Sequence, residues 1–182
     1  MKPNLLLEKF PDSANQLVGY ANWLETQGVI RGLLGPREVD RIWDRHLSNC
    51  AAVAELIKPK SSIIDIGSGA GLPGLVLAIV RPDCEISLIE PLLRRSEFLQ
   101  EVVADLGLTN AKVIRARAEQ VHNHKADVVT ARAVAPLHRL LGWALPLTRP
   151  SGEILAMKGS SAATEIAEAE SQLSGLTAEI HQ

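Results

Sequence analysis

The sequence predicts an α/β fold with a doubly wound, mainly parallel sheet, preceded by N-terminal helices. From Ser61 onward, short apolar runs alternate with helical segments, as in parallel strands joined by right-handed crossovers. The first of these runs leads directly into a glycine-rich turn, and such a turn is the usual ligand-binding crevice of this sheet type. The 182 residues are enough to bury a full core without metals or disulfides.

Composition narrows the class of protein. Hydrophobic residues make up 46% of the chain and charged residues 22%, which excludes a disordered tail and a fibrous repeat. The net charge of −2 excludes a protein that binds nucleic acid through an overall basic surface. A local phosphate-binding surface is still permitted, because residues 111–150 hold 7 Lys and Arg against 2 Asp and Glu. No apolar run reaches the roughly 20 residues that span a membrane, and the two cysteines lack metal-ligand spacing. We therefore expect a cytoplasmic monomer that binds neither metal nor membrane.

Residues 1–60 are expected to form an N-terminal helical segment that packs on a core made of residues 61–182. The first part of this segment contains two helical pieces, from Asn4 to Phe10 and from Ala14 to Glu25. In the second part, apolar side chains recur every three or four positions from Pro36 to Ile57, which predicts one amphipathic helix of about 20 residues.

The core alternates strands and helices. The predicted strands run from Ser62 to Ile66, Glu85 to Ile89, Lys112 to Arg115, Ala126 to Val134 and Gly152 to Met157. The predicted helices run from Leu75 to Val80, Pro91 to Leu106, Pro136 to Leu147 and Ala162 to Leu173. A sixth strand is expected to begin at Thr177 to Ile180, so the C-terminal strands are expected to be incomplete.

The most informative segment is the turn after the first strand, with the sequence DIGSGAGLPG at residues 65–74. Its glycines allow the backbone to approach a ligand closely at the carboxyl end of that strand. Three of them, Gly69, Gly71 and Gly74, also match the G-x-G-x-x-G pattern of dinucleotide-binding proteins. That pattern alone does not separate one nucleotide cofactor from another.

Acidic residues end the first two predicted strands. Asp65 lies two residues before the first glycine, and Glu90 follows Gly67 by 23 residues, where a ribose-binding acid is expected. A carboxylate beside the turn repels a pyrophosphate and suits a sulfonium, so the pair favours S-adenosylmethionine over NAD. The alternatives are that Asp65 braces the turn and that Glu90 caps the following helix.

With these residues in place, the sequence resembles a known family. DIGSGAGLPG followed by Leu77-Ala78-Ile79 resembles the 16S rRNA (guanine-7-N)-methyltransferases of the RsmG/GidB family. Four other stretches agree in order and spacing: Trp43-Asp44-Arg45-His46, Arg117-Ala118-Glu119, Ala131-Arg132-Ala133 and Met157-Lys158-Gly159. Asn49-Cys50 departs from an Asp-Ser pair that is frequent in the family. The resemblance implies a Rossmann-like class I S-adenosylmethionine-dependent methyltransferase that modifies nitrogen 7 of a guanine in 16S rRNA of the small ribosomal subunit.

The resemblance also implies roles for individual residues. Gly67 and Leu72 would contact the cofactor, Gly69 would leave room for it, Glu90 would hold the ribose hydroxyls, Ala118 and Glu119 would face the adenine, and Arg132 would lie beside the methionine end. For Glu119, the alternative is a surface acid that opens a short helix.

No general base is expected, because nitrogen 7 of guanine already carries a free lone pair. Arg132 and Lys158 are the candidates for orienting the guanine or its phosphate, unless Lys158 is only a solvated lysine. His46 lies on the apolar face of its segment, which favours a packing role over a catalytic one. Arg37, Arg41 and Arg45 either bind RNA phosphates or pair with neighbouring aspartates on an exposed face.

Two other functions agree with the residues. The first is a methyltransferase that acts on a small molecule or a protein, since the fold does not determine the acceptor. The second is a NAD-binding or non-catalytic nucleotide-binding Rossmann protein.

Overall fold

A parallel five-stranded sheet forms the centre of the protein in the computed structural model, which describes residues 3–171 and 173–181. The strands lie in the order β3-β2-β1-β4-β5, so the order reverses between β1 and β4. Their bounds are Ser62–Ile66 (β1), Glu85–Ile89 (β2), Ala111–Ile114 (β3), Ala126–Arg132 (β4) and Thr148–Met157 (β5). All five predicted strands are present, but β3 begins and ends one residue early, β4 ends two residues early and β5 begins four residues early.

Seven α-helices precede, connect or follow the strands within the described residues. They are Pro3–Lys9 (α1), Ala14–Trp23 (α2), Ser48–Val53 (α3), Gly74–Val80 (α4), Leu93–Asp105 (α5), Leu137–Ala144 (α6) and Ala162–Glu168 (α7). The sheet register aligns Ile63 of β1 with Ile86 of β2 and Val128 of β4. The carboxyl ends of neighbouring strands therefore meet along one edge of the sheet, where ligands bind in this type of fold.

Each face of the sheet is covered by its own apolar cluster, because both faces of a parallel sheet are buried. One cluster joins Ile63 and Leu88 to the N-terminal helices and to α4 and α5, with Tyr20 and Phe98 among its largest members. The other joins alternate residues of the same strands to α6. N-terminal residues thus share a hydrophobic core with the sheet.

The segment from Pro36 to Ile57 is not the single helix that its periodicity predicts. It consists of a 3-10 turn at Pro36–Arg41, a π-helical turn at Ile42–Leu47, helix α3 and a 3-10 turn at Ala54–Leu56. The spacing of apolar residues is similar in all these helical forms, so the pattern does not distinguish them. In the structure, Ser48 Oγ donates to the Trp43 carbonyl, 2.7 Å away and five residues earlier, within the widened turn.

The C-terminal region also differs from the prediction. Helix α7 ends at Glu168 rather than at Leu173, and Gln172 of the predicted helix lies outside the described residues. The expectation of a strand beginning at Thr177 to Ile180 is wrong, because these residues have no regular secondary structure. Within the described residues, β5 is one of the two edge strands and this run does not pair with it.

Candidate active site

The glycine turn after β1 adopts a backbone that side chains would disfavour. Gly67, Gly69 and Gly71 have φ angles of +67°, +58° and +100°. A Cβ atom on Gly67 would lie 2.8 Å from Val134 Cγ2, so the turn packs tightly against the loop after β4. The N–H groups of Gly67 and Ser68 donate to the Ile89 carbonyl at 2.8 and 3.1 Å, which ties the turn to the end of β2.

Asp65 lies beneath this turn. Its side chain is completely buried, and Oδ2 accepts the N–H of Gly74 at 3.0 Å, at the start of α4. A Cβ atom on Gly74 would lie 2.3 Å from Leu88 and 2.5 Å from Asp65 Oδ2. The other oxygen, Oδ1, has no hydrogen-bond partner within the described structure. Burial raises the pKa of Asp65 to about 7. Asp65 therefore braces the turn, which was one of the two roles that the sequence left open.

Glu90 holds the turn from the end of β2. It is 1% exposed, and its two oxygens accept the N–H groups of Gly69 at 3.0 Å and Leu92 at 2.9 Å. Leu92 is the N-cap residue of α5, so the capping role is present. A carboxylate has about four acceptor sites, so these two bonds leave acceptor capacity for ligand hydroxyls. The glycine turn is thus held by two buried carboxylates.

Three further predicted residues lie in the glycine turn or in the segment that follows β3. Leu72 is half-buried against the core cluster. Ala118 is 8% exposed and opens a 3-10 turn at Ala118–Gln120, after β3. It packs in the apolar cluster that also contains Ile89 of β2. The side chain of Glu119 is exposed.

Arg132 ends β4 and points toward the N-terminal segment. Its Nη1 donates to Cys50 Sγ at 3.4 Å, and its Nη2 contacts His46 Nδ1. Burial raises the pKa of the Cys50 thiol to about 12, so this acceptor is a neutral thiol. His46 is 4% exposed, and its Nε2 lies 3.0 Å from Glu38 Oε2. The sequence singled out His46 and Arg132 separately but did not predict that they touch.

Lys158, after β5, is not a solvated lysine. Its side chain is 14% exposed, and Nζ donates to the Ala135 carbonyl at 2.5 Å and to Glu165 Oε2 at 2.8 Å. The same Glu165 oxygen accepts the N–H of Leu137 at 2.8 Å. The pair lowers the pKa of Glu165 and links the loops that follow β4 and β5. Sequence reasoning missed Glu165, whose only signal is its place in the first turn of α7.

Residues 3–171 and 173–181 lack two further features. No group of three or more His, Cys, Asp and Glu side chains is placed to hold a metal ion there. In the same part of the chain, no helix is both long enough and apolar enough to cross a membrane.

Comparison with known proteins identifies the family of this chain. A family model described as GidB, rRNA small subunit methyltransferase G, matches residues 13–181. The chain belongs to this family. Among its relatives, the ribosomal RNA small subunit methyltransferase G of Thermobifida fusca is 56% identical over 171 residues, which cover 89% of this chain and 72% of that protein. The protein of the same name from a Nocardioides species is 56% identical over 155 residues, covering 85% and 62%.

Solved structures show the same fold at low sequence identity. Coclaurine N-methyltransferase bound to N-methylheliamine and SAH has a TM-score of 0.55 and 17% identity, covering 60% of this chain and 35% of its own. Trm5b from Pyrococcus abyssi has a TM-score of 0.59 and 14% identity, covering 78% and 41%. The predicted Rossmann-like class I methyltransferase fold is confirmed, and family membership confirms the predicted class of S-adenosylmethionine-dependent rRNA methyltransferase.

Proposed function

We propose that this GidB-family protein transfers a methyl group from S-adenosylmethionine to nitrogen 7 of a guanine in 16S rRNA of the small ribosomal subunit. The observation that carries the proposal is the glycine turn held between two buried carboxylates, Asp65 and Glu90. This arrangement lies at the carboxyl ends of β1 and β2, beside the reversal of strand order where ligands bind in open α/β sheets.

The residues of the turn fit this cofactor. A Cβ atom on Gly69 would meet nothing nearer than the Gly67 carbonyl at 3.7 Å, so there is open space beside the backbone. The unpartnered Oδ1 of Asp65 is a buried carboxyl oxygen at this turn, and its ionised form suits a sulfonium and disfavours a pyrophosphate. The cofactor-binding set is that of the sequence analysis: Asp65, Gly67, Gly69, Leu72, Glu90, Ala118, Glu119 and Arg132.

The remaining chemistry needs positioning rather than a base. When bound, S-adenosylmethionine supplies a methyl group on a sulfonium. Because nitrogen 7 of guanine is unprotonated at neutral pH, no side chain has to remove a proton. Arg132 and Lys158 extend from the ends of β4 and β5, and their contacts hold them in defined positions before substrate arrives. We propose that they orient the guanine or its phosphate, since preorganised charge is worth more than mobile charge in a site that excludes water.

The RNA partner is supported by exposed arginines around this edge of the sheet. Arg115 and Arg117 follow β3, and Arg139 lies in the first turn of α6, after β4. Exposed cations of this kind bind phosphates and release counterions. We propose that the protein acts as a monomer on small-subunit rRNA, and therefore in the cytoplasm, where ribosomes are assembled.

The proposal is tested by methyl transfer from labelled S-adenosylmethionine to small ribosomal subunits and to naked 16S rRNA, followed by identification of the modified nucleoside. We expect 7-methylguanosine. Label on a protein or a small molecule instead of RNA would assign a different acceptor. Isothermal titration with S-adenosylmethionine and with NAD tests the cofactor separately, and tighter NAD binding would overturn it.

A variant tests the role of Glu90 directly. Glu90→Gln removes the charge and replaces one accepting oxygen with an NH2 group. That NH2 group would face the N–H of either Gly69 or Leu92, which would then lack an acceptor. We expect the Kd for S-adenosylmethionine to rise by about tenfold or more, since one charged hydrogen bond is worth about 1.5–3 kcal/mol. The matched control is Glu85→Gln, at the exposed amino end of the same strand. An unchanged Kd in Glu90→Gln would remove Glu90 from the site.

A further inference from the structure

His46 and Glu38 form a hydrogen-bonded chain that ends on Arg132. A guanidinium only donates hydrogen bonds, so the contact with Arg132 Nη2 requires His46 Nδ1 to be the unprotonated, accepting nitrogen. The proton of the neutral ring is then on Nε2, which donates to Glu38 Oε2 at 3.0 Å. The contacts therefore assign one tautomer of a neutral imidazole.

The location of this chain links it to the site. Glu38 lies in the 3-10 turn at Pro36–Arg41 and His46 in the π-helical turn at Ile42–Leu47, whereas Arg132 ends β4 beside the glycine turn. The irregular N-terminal segment thus contacts Arg132, at this edge of the sheet, through His46 and Cys50. π-helical turns are uncommon and are often found at functional sites.

We propose that His46 is a positioning residue that holds the Arg132 guanidinium at the active site through its neutral, Nε2-protonated form, which Glu38 selects. The inference rests on the proposed function, because Arg132 is placed there by that proposal. His46 does not touch the substrate or the cofactor in this scheme. This role is additional to the packing role that its position on the apolar face predicts.

This chain makes the position of Arg132 sensitive to pH. A proton that binds to Nδ1 takes up the lone pair that accepts from Arg132 and places two cations side by side. The groups that face His46 are Arg132 from β4, Glu38 from the preceding 3-10 turn, and Arg45 from its own turn. Burial and then the charge of Arg132 lower the pKa of His46, Glu38 raises it, and Arg45 lowers it.

Two substitutions should move the acid limb of the methyl-transfer profile in opposite directions. Glu38→Gln removes a group that raises the pKa of His46, so activity should persist to lower pH. Arg45→Gln removes a group that lowers this pKa, so activity should be lost at higher pH. Each profile is normalised to its own plateau. Glu101→Gln is the control. It breaks the ion pair between Glu101 of α5 and Arg31, which does not involve His46.

A second pair of variants separates positioning from packing. His46→Leu should lower kcat by about 100-fold, as expected for misplacement of a catalytic group, with a smaller change in the Kd for S-adenosylmethionine. His46→Asn keeps an acceptor near the Nδ1 position but does not titrate, so it should recover part of kcat and lose the acid limb. If both variants are equally impaired in proportion to their lost thermal stability, His46 only packs and the proposal is wrong.

An NMR measurement is independent of catalysis. The 15N shifts of the His46 ring in the intact chain should show a protonated Nε2 and an unprotonated Nδ1 at neutral pH, and its titration should shift down in Glu38→Gln and up in Arg45→Gln. The opposite tautomer, or superimposable titrations in the three proteins, overturns the inference. If the chain transfers no methyl group, the proposed function fails and this measurement still decides the role of His46.

Discussion

The β1–α4 unit and the segment from Pro36 to Leu56 both support the active site, but they are held in different ways. In the β1–α4 unit the two buried carboxylates that hold the turn lie near it in the sequence, since Asp65 accepts the N–H of Gly74 nine residues later and Glu90 accepts the N–H of Gly69, 21 residues away. In the segment from Pro36 to Leu56 the contacts with the sheet domain come from distant parts of the chain. Arg132 contacts His46 across 86 residues, and Arg81 contacts Ala54 across 27.

The backbone of the two regions differs as well. The β1–α4 unit has the strand, turn and helix that its own residues favour. The segment from Pro36 to Leu56 changes between 3-10, π and α forms, and its groups are bonded to residues of the sheet domain at defined points. One of these points is Arg81, whose Nη1 donates to the Ala54 and Ile57 carbonyls at 3.0 and 2.7 Å.

The largest expected effect tests the local unit. Gly74→Val would place side-chain atoms where Leu88 and Asp65 already lie, since even a Cβ would be 2.3 Å from Leu88. We expect a loss of about 3 kcal/mol or more in the free energy of unfolding, measured by denaturant unfolding. The control is Gly142→Ala in α6, where the surroundings of the added Cβ are open, and it should stabilise by about 0.5–1 kcal/mol. A Gly74→Val variant with normal stability would show that the turn is not tightly packed.

A smaller effect tests the distant contacts. Arg81→Ala removes the donors to Ala54, Ile57 and Lys58 and leaves their carbonyls without this partner. We expect a loss of about 2–3 kcal/mol, together with faster hydrogen exchange in residues 36–56 than in β1. Arg149→Gln is the control, because its ion pair with Asp127 is half-exposed and should contribute less than about 1 kcal/mol. If residues 36–56 and β1 lose hydrogen-exchange protection to the same extent, the two regions are not held by different contacts.

The third prediction concerns how stability depends on pH rather than its value at one pH. Because burial raises the pKa of Asp65 from its ordinary 3.8 to about 7, the folded chain binds this proton more tightly than the unfolded chain. The contribution of Asp65 is therefore fully present below about pH 4 and is lost as the pH rises through about 7. Asp65→Asn should remove this decline between pH 4 and 7.

The measurement is the difference in the free energy of unfolding between Asp65→Asn and the parent chain at several pH values. His46 is present in both proteins, so its own titration cancels in that difference. Asp83 and Asp127, whose pKa values are lowered, titrate below this range in both proteins. If the difference between the two proteins is independent of pH from 4 to 8, Asp65 is ionised in the folded chain throughout.

The sequence by itself determined the order of strands and helices, the glycine turn, and the acids at the ends of the first two strands. These features depend on the conformational preferences and periodicity of a few consecutive residues, and right-handed connections leave few arrangements for a parallel sheet. The bounds of β1 and β2 follow the apolar runs from Ser62 to Ile66 and from Glu85 to Ile89. The motif at residues 65–74, with Leu77-Ala78-Ile79 and four shorter stretches, indicated a resemblance to the family that the comparisons confirm.

Only the tertiary structure decided which polar groups meet. The sequence left open whether Asp65 braces the turn, whether Lys158 is solvated and what His46 contacts. Each answer depends on a partner from another element: Gly74 of α4, Glu165 of α7 and Arg132 of β4. Hydrogen bonds are short and directional, so such pairings form only once the elements have packed to within a few tenths of an ångström. Local sequence patterns carry no information about these distances across the fold.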